Sequence, residues 1–505
     1  MNKPNIVLIM ADQLAPQFTG AYGHPLVQTP HMDALVARGT RFDAAYCNSP
    51  LCAPSRASFM AGQQVSRIGA YDNAAEFPAT IPTFAHYLRR AGYRTCLSGK
   101  MHFVGPDQMH GFEERLTTDI YPADTAWTPD WTKPDERIDH WYHNMDAVRQ
   151  AGGAMTTFQY DYDDEATFLA RRRIFDYKMT GAEPFAMVVS LIHPHDPYVA
   201  RPEFMGIYDP DSIDMPDGTP PTDAHSARIA LGIEAHQGAV SEEEIRRARH
   251  GYYANVSYFD SNVGKIVNAL EEADLLDNTI VVVTADHGDM LGERGLWYKM
   301  GWLEHSARVP LIVAGPGVRH QTAYAPCSLV DILPTFQQIA GDEGDLGAPL
   351  AGASLWPTLA DGDESQTEAI GEYCAECAPG WPVFMIRRGQ WKFIHCEVDP
   401  PQLYDLNSDP GERNNLADDP THAEVLAAFV KEAGRRWDSA AIRDQVLASQ
   451  KMRQIVQPAL ETGHMTSWDY TPPRNAAEEY VRNTVSWDDV LHRMQYPAPG
   501  AHDDA

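Results

Sequence analysis

Asn5-Ile-Val-Leu-Ile-Met-Ala-Asp12 is apolar at every position between its two polar ends. A strand with one wet face would alternate, so this run reads as a strand covered on both faces, at the centre of a sheet flanked by helices. Similar runs recur at Arg94–Ser98, Phe185–Ile192, Thr279–Thr284 and Pro310–Ala314. A long helical pattern extends from about Ser241 to Ala273 and opens on the capping box Ser241-Glu-Glu-Glu244. Thr29-Pro30 opens a shorter helix with a cap residue and a first-turn proline, and Met32, Leu35 and Val36 form its apolar stripe. Strands separated by helices predict an α/β sandwich built on a large, mostly parallel sheet.

Four of the strands run straight into ionisable residues: Asp12, Lys100 with His102, His193 with His195, and Asp286 with His287. One such end is ordinary loop polarity. Four together, outside the carboxyl ends of parallel strands, predict a shared site. After about residue 365 the strands shorten, as in Trp391–Cys396, and a turn-rich stretch follows from Gln402 to Leu416. The expected division is a catalytic α/β domain over 1–365, a small α+β domain with an antiparallel sheet over 366–440, and an extension over 441–505. The extension carries Trp468, Tyr470, Tyr480, Trp487 and Tyr496 among prolines and acids. That is too aromatic for a disordered tail, so it is expected to pack on the body or on a neighbouring subunit.

Composition narrows the function classes. Of 505 residues, 44% are hydrophobic and 22% charged, which is globular. Seventy acids against 40 bases leave a net charge of −30, which argues against nucleic acid as the main partner. No run approaches the roughly 18 apolar residues of a membrane span. Ile6–Met10 is too short for a signal peptide's apolar core and is cut off by Asp12. The chain is therefore expected to start at or near Met1 and to stay in the cytoplasm. Seven cysteines give no disulfide framework, and Cys374-x-x-Cys377 is half a zinc site with no second pair.

The most informative stretch is Ser49-Pro-Leu-Cys52-Ala-Pro54-Ser-Arg56-Ala-Ser-Phe-Met-Ala-Gly62. Pro54 places Cys52 at the start of a helix, with Arg56 one turn on. Free N–H groups, the positive end of the helix dipole and a guanidinium together make an anion site. A plain buried cysteine and a thiolate nucleophile are the two other readings.

Cys52-Ala-Pro-Ser-Arg56 resembles the C-x-P-S-R signature of type I, formylglycine-dependent sulfatases. Asn5–Asp12, Ser98-Gly-Lys-Met-His102, Ala285-Asp-His-Gly-Asp289 and Leu403-Tyr-Asp-Leu follow in that family's order. The resemblance implies the alkaline-phosphatase-like fold and hydrolysis of a sulfate ester. It also implies a formylglycine-generating maturation enzyme that oxidises Cys52 to an aldehyde, hydrated to a diol. It gives Asp12, Asp286, His287 and the modified Cys52 as ligands of one divalent cation. Oxygen-rich ligation suits Ca2+, and the imidazole leaves room for Mn2+. Arg56 and Lys100 would neutralise sulfate, and His102 would help deprotonate the diol. Either His195 or Lys299 would protonate the leaving alkoxide, with His193 behind them. The family's second acid after the first strand is Gln13 here, and His287 stands where many sulfatases have Asn.

Further stretches are similar to bacterial choline sulfatases: Tyr71–Phe77, Gly99–Pro106, Gly111–Asp124 and Leu291–Trp297. That resemblance implies a small cationic substrate, choline sulfate, with Asn73, Trp127, Glu376 and Asp488 around it; Trp131 is a second aromatic candidate in the loop of Trp127. It also implies a homo-oligomer, a tetramer built as two dimers, in which the tail lends Asp488 to a neighbour. The alternative is a phosphonate monoester or phosphodiester hydrolase of the same superfamily, where Tyr and Thr take the places of Lys100 and His102. A more distant alternative is a non-catalytic binding protein on this fold.

Overall fold

The computed structural model of the chain describes residues 3–137, 143–181, 184–236, 238–342 and 348–494. An eight-stranded central sheet is built from β1 (Asn5–Asp12), β2 (Gly39–Phe42), β3 (Arg94–Gly99), β4 (Glu114–Arg115), β5 (Phe185–Pro194), β6 (Thr279–Ala285), β7 (Leu311–Ala314) and β8 (Gln321–Ala323). Their order is β8-β2-β7-β6-β1-β5-β3-β4. Of these, β7 alone runs against its neighbours, β6 and β2. The remaining adjacent pairs are parallel. Every position of β1, β5 and β6 is buried. Each large aliphatic side chain there contributes roughly 1.5–3 kcal/mol by leaving water, which is why the runs carry no alternation.

The helices that matter for the site are α1 (Pro30–Val36), α2 (Cys52–Ala61), α3 (Phe158–Thr180) and α4 (Glu242–Glu272). The capping box of α4 forms as expected: the Ser241 hydroxyl accepts from the Glu244 N–H, and the Glu244 carboxylate accepts from the Ser241 N–H. Thr29 behaves differently. Its hydroxyl donates to Asp33 at 3.1 Å and accepts from the Ala21 N–H at 2.9 Å. The free N–H groups of His31 and Met32 go to the Asp260 carboxylate of α4 at 3.1 and 2.8 Å. The start of α1 is capped by tertiary structure.

The C-terminal sheet is an antiparallel meander of β9 (Glu368–Tyr373), β10 (Val383–Arg388), β11 (Trp391–Cys396) and β12 (Gln402–Asp405). Helices α5 (Ala423–Arg436), α6 (Ser439–Leu460) and α7 (Trp487–Met494) follow. Phe429 of α5 stacks on Phe393 of β11 with centroids 5.4 Å apart. A buried lysine joins this sheet to the larger body. Lys392 of β11 lies 2.8 Å from both Glu304 and Glu412, and Glu412 also accepts from the Glu304 N–H at 2.7 Å. Among the described residues no helix is long and apolar enough to cross a membrane.

Candidate active site

Strands β6, β1, β5 and β3 are parallel neighbours, so their carboxyl ends deliver Asp286, Asp12, His195 and Lys100 to one end of the sheet. Gly99 lets β3 finish there. A Cβ on it would lie 1.9 Å from the Ser190 carbonyl. Without one, the Lys100 N–H donates to that carbonyl at 2.9 Å. Helix α2 points its first residue, Cys52, at the same place, and all ten of its residues are buried. Its N-cap, Leu51, makes no side-chain cap; Asn73 Oδ1 instead accepts from the Ala53 N–H at 2.9 Å.

Four side chains converge: ligand atoms of Asp12, Cys52, Asp286 and His287 all lie within 4.8 Å of one another. Cys52 Sγ is 3.3 Å from His287 Nε2 and 3.8 Å from Asp12 Oδ1. His287 Nδ1 lies 3.0 Å from the Gly288 carbonyl. Donating a proton there fixes the tautomer and leaves Nε2 as a lone-pair donor facing the carboxylates. Two fully buried carboxylates, an imidazole and the residue-52 side chain are a fitting donor set for a divalent ion. Burial alone would raise Asp12, but Lys100, His195 and Arg56 hold it well below the usual carboxylate range. Burial, helped by Asp12, pushes the Cys52 thiol up to about 11. Without a cation beside it, that burial favours the neutral thiol.

Arg56 is wholly buried with all three guanidinium nitrogens engaged. Nε donates to Asp286 at 2.8 Å, Nη2 to Asp12 at 3.0 Å, and Nη1 to the Lys100 carbonyl and Ser190 Oγ at 2.8 Å each. Lys100 pairs with Asp12 and lies 4.2 Å from the centre of the Tyr121 ring. His102 is also buried, and among the described residues neither of its ring nitrogens has a hydrogen-bond partner. Burial and the neighbouring Lys100 lower it to about 3, so it is a neutral imidazole.

On the opposite side, His195 Nδ1 lies 2.7 Å from the Asp196 carbonyl and Nε2 lies 2.9 Å from Lys299 Nζ. Burial and Lys299 hold His195 well down. Burial opposes charge on Lys299, but Cys52, Asp196 and Asp12 raise it. The proton of this pair therefore sits on Lys299. His193 stands behind, bonded to Asp163 at 2.7 Å.

Trp127 is half-buried and meets His102 and Tyr121 edge-on, with centroids 5.9 and 5.5 Å apart. Glu376 lies in the β9–β10 connection, 1% exposed, and among the described residues neither carboxylate oxygen has a hydrogen-bond partner. Burial, with Asp72 nearby, raises it well above its ordinary value, and it feels the charges of Lys299 and Cys52. Trp131, of the same loop as Trp127, is structural: it is buried and donates to the Ala375 carbonyl at 2.9 Å. Asp488 is exposed in the first turn of α7, with no hydrogen bond to a site residue among those described. Cys374 and Cys377 are buried free thiols.

Residues 4–342 match the family model described as Sulfatase. The chain belongs to the sulfatase family. It is accordingly a sulfuric ester hydrolase with the alkaline-phosphatase-like fold. Residues 444–496 match the model described as choline sulfatase enzyme C terminal, and residues 292–436 that of N-sulphoglucosamine sulphohydrolase, C-terminal. This sulfatase is 46% identical over 507 residues to the choline-sulfatase of Rhizobium meliloti, covering 98% of this chain and 99% of the relative. It is 29% identical to human arylsulfatase K, over 82% of this chain and 79% of that one. The structure of a phosphonate monoester hydrolase from Silicibacter pomeroyi superposes with a TM-score of 0.70 at 24% identity, covering 86% of this chain and 95% of that one. That likeness is one of fold.

The sulfatase site also contains residues that the sequence reading passed over. Gln13, read there only as a departure from the family's second acid, bridges the site. Its carboxamide donates to Asp289 at 2.7 Å and Asp196 at 3.3 Å, and accepts from Lys299 at 2.5 Å. Asp196 also meets His143 Nδ1 at 3.2 Å, and His143 stacks on Tyr298. The spacing Asp286-x-x-Asp289 and the Asp directly after His195 were the available signals. His143 and Tyr121 gave none.

Proposed function

We propose that this sulfatase hydrolyses a small cationic ester, choline sulfate, to choline and sulfate. The observation that carries the reading is Glu376, a buried carboxyl group with no side-chain hydrogen-bond partner among the described residues. A quaternary ammonium has no N–H to donate. It is held by negative charge and aromatic faces, which Glu376 and Trp127 would supply. The name of the Rhizobium relative and the C-terminal match over residues 444–496 support the same substrate.

Asp12, Asp286, His287 and residue 52 would hold one divalent cation, Ca2+ by the weight of oxygen donors, with Mn2+ as the other fit. When bound, it supplies Lewis-acid polarisation of the sulfate oxygens. Cys52 is read as the target of a maturation enzyme that leaves formylglycine; the Cys52-Ala-Pro-Ser-Arg56 motif and the sulfatase match support this. Arg56 fixes both carboxylates. Lys100 brings positive charge against Asp12, where the anionic sulfate must arrive. Neutral His102, whose ring nitrogens have no hydrogen-bond partner among the described residues, would take the proton that leaves residue 52 as sulfate is expelled. Lys299 carries the proton destined for the leaving alkoxide, and His195 Nε2 orients it.

The start of the antiparallel sheet at Glu368 supports a division of the chain at about residue 365. A cytoplasmic homotetramer, built as two dimers, completes the reading. Support for self-association is apolar surface on the C-terminal segment: Ile455, Tyr480 and Trp487 are each 61% exposed. There the partner subunit's Asp488 would reach the substrate's cation.

Glu376→Gln tests the substrate assignment. KM for choline sulfate should rise roughly tenfold, the scale of a lost contact to a charged group, while KM for a neutral aryl sulfate stays within about twofold. Equal changes on both esters would contradict it.

A further inference from the structure

We infer that α6 is a positioning element for the substrate wall, with Gln450, Arg453 and Gln457 holding the loop of Trp127 and the turn of Asn73. The buried face of α6 runs Ile442, Val446, Gln450, Arg453, Gln457, the spacing of one helical stripe. Its first two members join the hydrophobic core. The next three are polar, yet none is more than 7% exposed. Long polar side chains are buried at a cost unless their bonds are made; Gln457 Nε2 and Arg453 Nε bond to Glu461 and Ser449 near their own turns, while the other bonds of the three reach the 125–131 loop and Asp72.

Gln457 Oε1 accepts from the backbone N–H and the hydroxyl of Thr125 at 3.2 and 2.9 Å. Gln450 Oε1 accepts from the Trp131 backbone N–H at 2.9 Å. Residues 125 and 131 are thus both pinned to α6, and Trp127 lies between the pins. Arg453 braces the middle. Its Nη1 donates to Thr128 Oγ1 at 3.1 Å, and that hydroxyl donates to the Thr125 carbonyl at 2.7 Å. The same guanidinium forms a two-pronged pair with Asp72 at 2.7 and 2.8 Å. Asp72 is wholly buried and precedes Asn73, whose carboxamide caps the start of α2 beside Cys52. One helix therefore spans from the aromatic wall to the helix of the nucleophile.

None of these side chains meets the reacting atoms, so they position the wall and take no part in the chemistry. The choice of substrates below rests on the cation reading of Trp127 and Glu376. In the full-length, matured enzyme, Gln457→Leu removes both Thr125 bonds. KM for choline sulfate should rise roughly five- to tenfold, the scale of one or two hydrogen bonds. Turnover, and KM for 4-nitrophenyl sulfate, should stay within about twofold on the same scale. Replacing Arg453 alone would leave the Asp72 charge buried and unpaired and endanger folding. The pair Asp72→Asn with Arg453→Gln keeps hydrogen bonds without charge and should reproduce the split. Unchanged KM for both esters, or equal losses on both with a lowered Tm, would overturn the inference. Trp127→Ala, measured beside them, separates the two ideas. If it fails to discriminate between the esters while Gln457→Leu does, the cation role of Trp127 falls and the clamp stands. If it discriminates and Gln457→Leu does not, the clamp falls.

Discussion

Glu376 is the residue on which the choice of substrate turns, and its ionisation gives a prediction of its own. Burial favours its neutral acid, whereas a bound trimethylammonium favours the carboxylate. Binding the cationic ester must therefore expel a proton. KM for choline sulfate should fall as pH rises and level off once Glu376 is ionised in the free enzyme, while KM for a neutral aryl sulfate should not follow. Parallel profiles for the two esters would place the titration elsewhere. At this scale the sequence was most legible where chemistry coincides with a strand end or a tight motif: Asp12, Cys52, Arg56, Lys100, His102, His195, Asp286, His287 and Lys299 all gather at one end of the sheet. Gln13 was visible only as a departure, because its part is to bridge Asp196, Asp289 and Lys299, and that takes three strands to see. His143 reaches Asp196 from a distant loop, with no local pattern to announce it.

Among the elements, the covered strands could be read directly, since unbroken aliphatic runs leave few other folds. The direction of β7 could not. Four apolar residues read the same either way, and only pairing against β6 and β2 settles it as antiparallel. The joint between the C-terminal sheet and the catalytic body was equally hidden, because Lys392, Glu304 and Glu412 are far apart in sequence. It makes a stability prediction. Lys392→Met leaves two buried carboxylates facing each other without their cation, at a cost of roughly 3–5 kcal/mol. Thermal unfolding should show a markedly lowered Tm. Because Glu304 lies five residues beyond Lys299, turnover should fall before binding does. An unchanged Tm would mean that the joint is held by the surrounding apolar packing alone.

At the scale of the molecule, the parallel sheet gathers the site residues at one end of four central strands, and α6 of the C-terminal segment bonds to the loop that carries Trp127. A net charge of −30 suits a cationic ligand more than an anionic polymer, although charge alone names no substrate. The exposed aromatics of the tail belong at an interface in this account. Truncation before Trp468 should give a smaller particle by light scattering and a higher KM for choline sulfate, and an unchanged particle mass would confine the tail to its own subunit. Residues 495–505 of the expected extension lie outside the described residues. The measurement that bears most directly on the whole account is kcat/KM for choline sulfate, a neutral aryl sulfate and a phosphonate monoester on one preparation. A buried carboxylate and an aromatic wall, each worth a kcal/mol or more to a cation, should place choline sulfate ahead of both by at least about tenfold. A phosphonate monoester turned over more efficiently than choline sulfate would contradict it.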